Sequence, residues 1–250
     1  MRSWFLVLIL SVTPVWVLHA QDLASTCHAT SSYDLTLQPG QLQFDRDAPD
    51  PTRVTIGGGS LRVDGTEVRL AAAERERLTA FERDVRALAP RVRAVAEHGV
   101  DLAARSVRAE ADRLGLSASA RAEVDRRLAA DAAALKRRVA ASQSTKDWHG
   151  EAFDQYADDL GADLLPLVTS DLGQQAMQAA LSGDTQAALS LRDAAVDLAD
   201  GMKSRLQERM QALRPEVAAL CPSIRRLADL QQGLTGPGGE PLHLLEITPE

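Results

Sequence analysis

The sequence lacks an apolar run long enough to cross a bilayer as a helix. Its one sustained run, Trp4 to Leu18, has about 15 residues and is interrupted by Ser11, Thr13 and Pro14, against the ~20 that a spanning helix needs. Arg2 precedes the run, and Ala20 stands before polar Gln21 and Asp22. That pattern predicts a signal peptide over residues 1–20, cleaved near Ala20. Leu18 is an unusual residue three before such a cut, so a cut at Ala24 is the alternative. Leu23 to Cys27 is a poor lipobox, because Thr26 precedes the cysteine and Gln21-Asp22 part it from the apolar run. No transmembrane segment is expected after removal of the signal, and the predicted location is the periplasm.

Cysteine is nearly absent, with Cys27 and Cys221 alone. Neither has a second cysteine close by, which excludes a redox motif or a zinc set, and the neighbouring His28 does not complete one. In an oxidising compartment an even count favours a disulfide, with two unrelated thiols as the alternative. Closing a loop of about 195 residues would stabilise the fold by roughly 5 kcal/mol in the chain-entropy model. Tyrosine is scarce too, with two residues, and the net charge is −7. Nucleic acid is therefore not an expected partner, since holding phosphates needs a basic face. Lysine supplies only three of the 28 basic residues, a bias that fits a GC-rich genome better than a function.

Catalytic motifs are also missing. His28, His98, His149 and His243 are the histidines beyond the signal, and none lies in a His-Glu-x-x-His arrangement. There is no Gly-x-Ser-x-Gly elbow. Gly57-Gly58-Gly59-Ser60 is followed by a strand pattern and no lysine, so a turn with positive φ is expected rather than a phosphate loop. Asp154, Asp158, Asp159 and Asp163 fall at helical spacing, without the central glycine of a calcium loop, and read as a solvated acidic face. His149 alone has an aromatic and carboxylates near it. Trp148, His149, Phe153 and Asp154 are thus the one candidate surface or ligand site, with no catalytic residue, metal or cofactor assigned.

What is present is periodicity. Tyr33 to Leu70 alternates apolar and polar residues between turn signals at Pro39-Gly40, Gly57 to Gly59 and Asp64-Gly65. This predicts an antiparallel meander of four or five short strands within residues 28–70. From Ala71 the period becomes helical: Leu78, Phe81, Val85, Leu88, Val92 and Val95 step by three and four. Helices are predicted to about Gln232, with breaks near Gly115, at Ser142 to Asp147, at Pro166 and at Ser182 to Asp184. A second seam runs through Leu206, Met210, Leu213, Val217, Leu220, Ile224 and Leu227. The expected fold is α+β, mainly α: a small meander followed by a long-helix bundle with coiled-coil-like seams. Residues 21–232 form one domain and 233–250 a flexible tail. Ala72 to Ala140 carries 15 basic and 11 acidic residues, whereas Asp147 to Glu250 carries 7 and 17. Such halves can attract when helices pack antiparallel, or merely make two solvated faces.

The order of these parts resembles the YggN-like family of small Gram-negative envelope proteins, a domain of unknown function. The likeness is carried by Cys27-His28, Gly59 to Gly65 with Val68 and Leu70, Ala71 to Arg77, Trp148 to Asp154, and Cys221. It implies a periplasmic location and a Cys27–Cys221 disulfide, and it implies no reaction. The expected function is a non-enzymatic structural or interaction role in the cell envelope, with another envelope protein or a second copy as partner. The alternative is an envelope hydrolase, or a binder of small apolar ligands, using the region around His149.

Overall fold

The computed structural model describes residues 25–148 and 151–248, with 151–160 and 195–207 described by backbone alone. The predicted meander is an antiparallel sheet of five strands in sequence order: β2 (Asp34–Gln38), β3 (Gln41–Asp45), β4 (Arg53–Gly57), β5 (Ser60–Val63) and β6 (Thr66–Glu67). A short β1 (Ala29–Thr30) stands outside it. The register sets Phe44 beside Val54 and Val54 beside Val63, and likewise Leu42 beside Ile56 and Ile56 beside Leu61. Alternate side chains of a strand point to one face, so these residues make a single apolar surface. The intervening Gln43, Thr55 and Arg62 occupy the other face. Two turns need positive φ: Asp64 and Gly65 at 47° and 81°, and Gly58 and Gly59 at 57° and 75°. Gly59 is constrained twice over, because a Cβ there would lie 3.2 Å from the Arg75 carbonyl oxygen.

The helix that covers the sheet is α1 (Ala72–Arg113), 42 residues long and so about 63 Å from end to end. The Ala71 N–H donates to Glu74 Oε2 at 2.7 Å, which closes its first turn. Leu78, Phe81 and Val85 are buried against Leu42, Phe44, Val54, Ile56 and Leu61 in the main core. The first predicted seam therefore meets a sheet at this end rather than a second helix. Val92 interrupts it, being 37 % exposed.

Beyond the sheet α1 enters a bundle. It pairs with α2 (Ala118–Ala141) through Arg108–Asp125 and Arg121–Asp112 ion pairs at 3.1 and 3.4 Å. Next come α3 (Glu151–Leu181) and α4 (Thr185–Met210), which form a hairpin. The chain then bends through a 3₁₀ turn at Gln211–Leu213 and α5 (Arg214–Ala218) into α6 (Cys221–Gln231), which lies back on α1. In the bundle α1 touches α2 and α4, and α3 touches α2 and α4, giving four antiparallel helices.

Three expectations need correction. Pro166 does not end a helix: α3 runs through it. A proline inside a helix costs about 3 kcal/mol, and here Leu164, Val168 and Leu172 on either side are buried against neighbouring helices. Pro215 and Pro222 instead divide the last predicted helix, each opening a new one where a missing N–H does no harm. The segment after Gly233 is not loose. Leu234, Leu242 and Leu244 are buried in the main core, and β7 (Glu246–Ile247) pairs with β1. Buried Gln231 holds this segment, its Oε1 accepting the Leu244 and Leu245 N–H groups at 3.0 Å each while its Nε2 donates to the Leu245 carbonyl. Replacing Gln231 with leucine would strand one buried and one half-buried N–H group. A loss on the order of 2–4 kcal/mol is expected, read as a lowered urea midpoint with faster amide exchange at Leu244 and Leu245.

Candidate functional site

The predicted site begins in the segment between α2 and α3, which serves the sheet. The Leu37 N–H donates to the Gln143 carbonyl at 2.8 Å, the Leu35 N–H to Thr145 Oγ1 at 2.9 Å, and Thr36 Oγ1 to Ser144 Oγ at 3.0 Å. These contacts close the open edge of β2, a strand edge that would otherwise invite pairing with another chain. Trp148 ends the segment, and its indole N–H donates to Ser142 Oγ at 2.7 Å. Its polar atom is thereby committed to fastening the strap. His149 lies outside the described residues. Phe153 and Asp154 fall on the first turns of α3, and their side chains also lie outside the described residues. Of the other predicted histidines, His98 Nδ1 sits 2.6 Å from Glu216 Oε1, linking α1 to α5, and His243 is exposed. Among the described residues no three His, Cys, Asp or Glu side chains are grouped to hold a metal ion. No described helix is long and apolar enough to cross a membrane.

Cys27 and Cys221 form a disulfide with a Cα–Cα separation of 5.1 Å, joining the start of the described chain to the first turn of α6. Cys27 is fully buried, packed with Ala29, Leu220 and Ile224 under Leu88 and Val95 of α1. A sulfur engaged in this bond has none left for a lipid thioether, which removes the lipobox reading.

The space between sheet and α1 is filled: Leu42, Val54, Ile56, Leu61 and Leu78 are each 0 % exposed. Charge is concentrated instead on the seam between α2 and α3. Arg127 donates to Glu123 Oε1 at 2.7 Å and to Asp163 Oδ1 at 2.6 Å. The charge difference between the two halves of the chain is thus realised as a cross-helix pair, and Asp163 is partnered rather than part of a cation loop. Hydrogen bonds from Arg126 and Arg127 hold the Glu123 carboxyl down at about 2. Asp131, about two turns further along α2, is in the opposite state. Burial, then repulsion from Asp163, raises its pKa, and its Oδ2 has no hydrogen-bond partner among the described residues. At the other end of this seam Asp171 receives the Ser117 N–H at 2.9 Å and Ser117 Oγ at 2.5 Å. Burial would raise the Asp171 carboxyl, but these bonds at the start of α2, with one from Gln175, leave it lowered.

Past Ser117 and Leu172 the hairpin runs on alone. From Gly173 to Leu181, α3 extends about 13 Å beyond the last leucine buried against the α1–α2 turn. The last link is Gln175 Nε2 to the Gly115 carbonyl at 3.3 Å. Met177, Leu181 and Leu189 on this projection are 67 %, 82 % and 53 % exposed. Between the two helices lies an open, mostly apolar groove of about 610 Å³, with Ala176, Ala180, Ala188 and Leu189 in its lining. This surface was not anticipated from sequence. Its only trace there is that no lysine or arginine occurs between Lys146 and Arg192.

Two outcomes are expected. Cys221→Ser should cost about 4–5 kcal/mol in urea unfolding, and the native protein should resist alkylation until reduced. Asp131→Asn should raise Tm at neutral pH. A folded-state pKa above the unfolded one makes ionisation a cost that is present above the folded value and absent below the unfolded one. The gain should therefore vanish near pH 3, roughly one unit under the free aspartate value.

No curated protein and no solved structure matches the chain. The family model DUF2884, a protein of unknown function, matches residues 27–245, from the first half-cystine to the leucine that Gln231 holds. The chain belongs to the DUF2884 family.

Proposed function

We propose that this is an exported, non-enzymatic interaction protein of the cell envelope, working in the periplasm, with the α3–α4 projection as its contacting part. The observation that carries the reading is the exposure of Met177, Leu181 and Leu189 together on one projecting tip. Large apolar side chains gathered on a soluble surface mark a site that a partner covers. Export is supported by the leader-like residues 1–20 and by a buried disulfide, which persists in oxidising compartments. The resemblance to the YggN-like envelope proteins points the same way. The sheet, the strap and the disulfide make a base that holds the bundle, and the bundle carries the tip away from that base.

A photo-crosslinking residue placed at Leu181 in intact cells should give one discrete protein adduct, identified by mass spectrometry. The same residue at Glu76, exposed on the first turn and a half of α1, should give none. Equal or absent labelling at the two positions would sink the reading.

A further inference from the structure

We infer that the tip of the α3–α4 hairpin docks on the same tip of a second copy of this chain, in a two-fold antiparallel arrangement centred on Ala188. The inference rests on the interaction reading above and names its partner.

Asp184, just before α4, and Ala188 and Arg192 on its first turns stand at intervals of four. Asp184 is at the start, where its Oδ1 accepts the Ala187 N–H at 3.0 Å, and Ala188 and Arg192 line the groove. An acid, a small residue and a base at equal steps are self-complementary when two such helices run antiparallel. With Ala188 facing Ala188, Asp184 of each copy comes opposite Arg192 of the other, and two identical ion pairs form. A two-fold interface has this property by construction, since residue i meets j and j meets i. Alanine at the crossing lets the helices approach to the 8–10 Å typical of packed pairs. Leu189, 53 % exposed, lines the same groove beside the crossing, so the contact would cover it. Between Asp184 and Arg192 no residue is charged, so no like charges face each other between the two ion pairs. A bilayer with anionic headgroups is disfavoured by the same count, because the tip has no lysine or arginine ahead of Arg192.

The test is the mass of the full mature protein in solution, by light scattering and sedimentation equilibrium. The wild type should be a dimer, and Leu189→Asp should be a monomer with unchanged helical circular dichroism. Asp184→Lys and Arg192→Glu should each be monomeric alone, because each sets like charges opposite at both pairs. Mixed, they should form a heterodimer, because one Asp184–Arg192 pair is then kept as in the wild type and the other is restored with its charges exchanged. A monomeric wild type at tens of micromolar would overturn the inference, as would a dimer indifferent to Leu189→Asp or a mixture that stays monomeric. A Leu181 crosslink to a different envelope protein would overturn it too while leaving the interaction reading standing.

Discussion

A five-stranded meander with one apolar face cannot stand by itself, and the structure follows from how that face is covered. Leu42, Phe44, Val54, Ile56, Leu61 and Val63 point one way, and the row Leu78, Phe81 and Val85 of α1 meets them. Such a small sheet gains independent stability only by packing against a helix. Because α1 is far longer than the sheet is wide, its second half has apolar residues left over, and these recruit α2, α3 and α4. One helix is thus shared by two cores, and the sheet fixes the direction in which the bundle leaves.

The ends of the chain are secured to this same base. The disulfide ties Cys27 to α6, β1 pairs with β7, and buried Gln231 holds Leu244 and Leu245 by their backbone groups. Each device acts at a different point, and together they place residues from opposite ends of the sequence beside the sheet. The glutamine is an economical solution to a backbone problem: a segment that joins no long strand still needs partners for its buried N–H and C=O groups. The α2–α3 strap does the corresponding task for the β2 edge, and Trp148 fastens it.

Burial holds along the bundle as far as Val124 and Leu172 and ends beyond them. Near the sheet the core leucines are fully enclosed. In the middle, Glu110 is buried but ion-paired to Arg113 and Arg209, and the α2–α3 seam relies on Arg127 and its carboxylates. At the far end the α3–α4 hairpin outlasts its neighbours, and apolar side chains face solvent.

The sequence by itself determined the elements: alternation gave the meander, Asp64-Gly65 and the glycines gave its turns, and the three-and-four step gave α1 with its buried row. An even count of two cysteines, in a chain read from its sequence as exported, was enough to expect the pairing that the fold contains. Local signals failed where partners at a distance decide. Pro166 reads as a break because its lost hydrogen bond is local, while the packing that keeps α3 intact comes from other helices. The glycine-rich stretch after Gly233 reads as loose because its leucines are few, yet a glutamine and a strand remote in sequence fix them. Trp148 was legible as a special residue, but its bond to Ser142 belongs to a strap whose purpose is set by Gln143, Ser144 and Thr145 lying along β2. The exposed tip was invisible in the sequence, since Met177, Leu181 and Leu189 have the spacing of ordinary core residues. Only the tertiary structure decides that α1 and α2 stop short of them, because burial is a property of which helices end where.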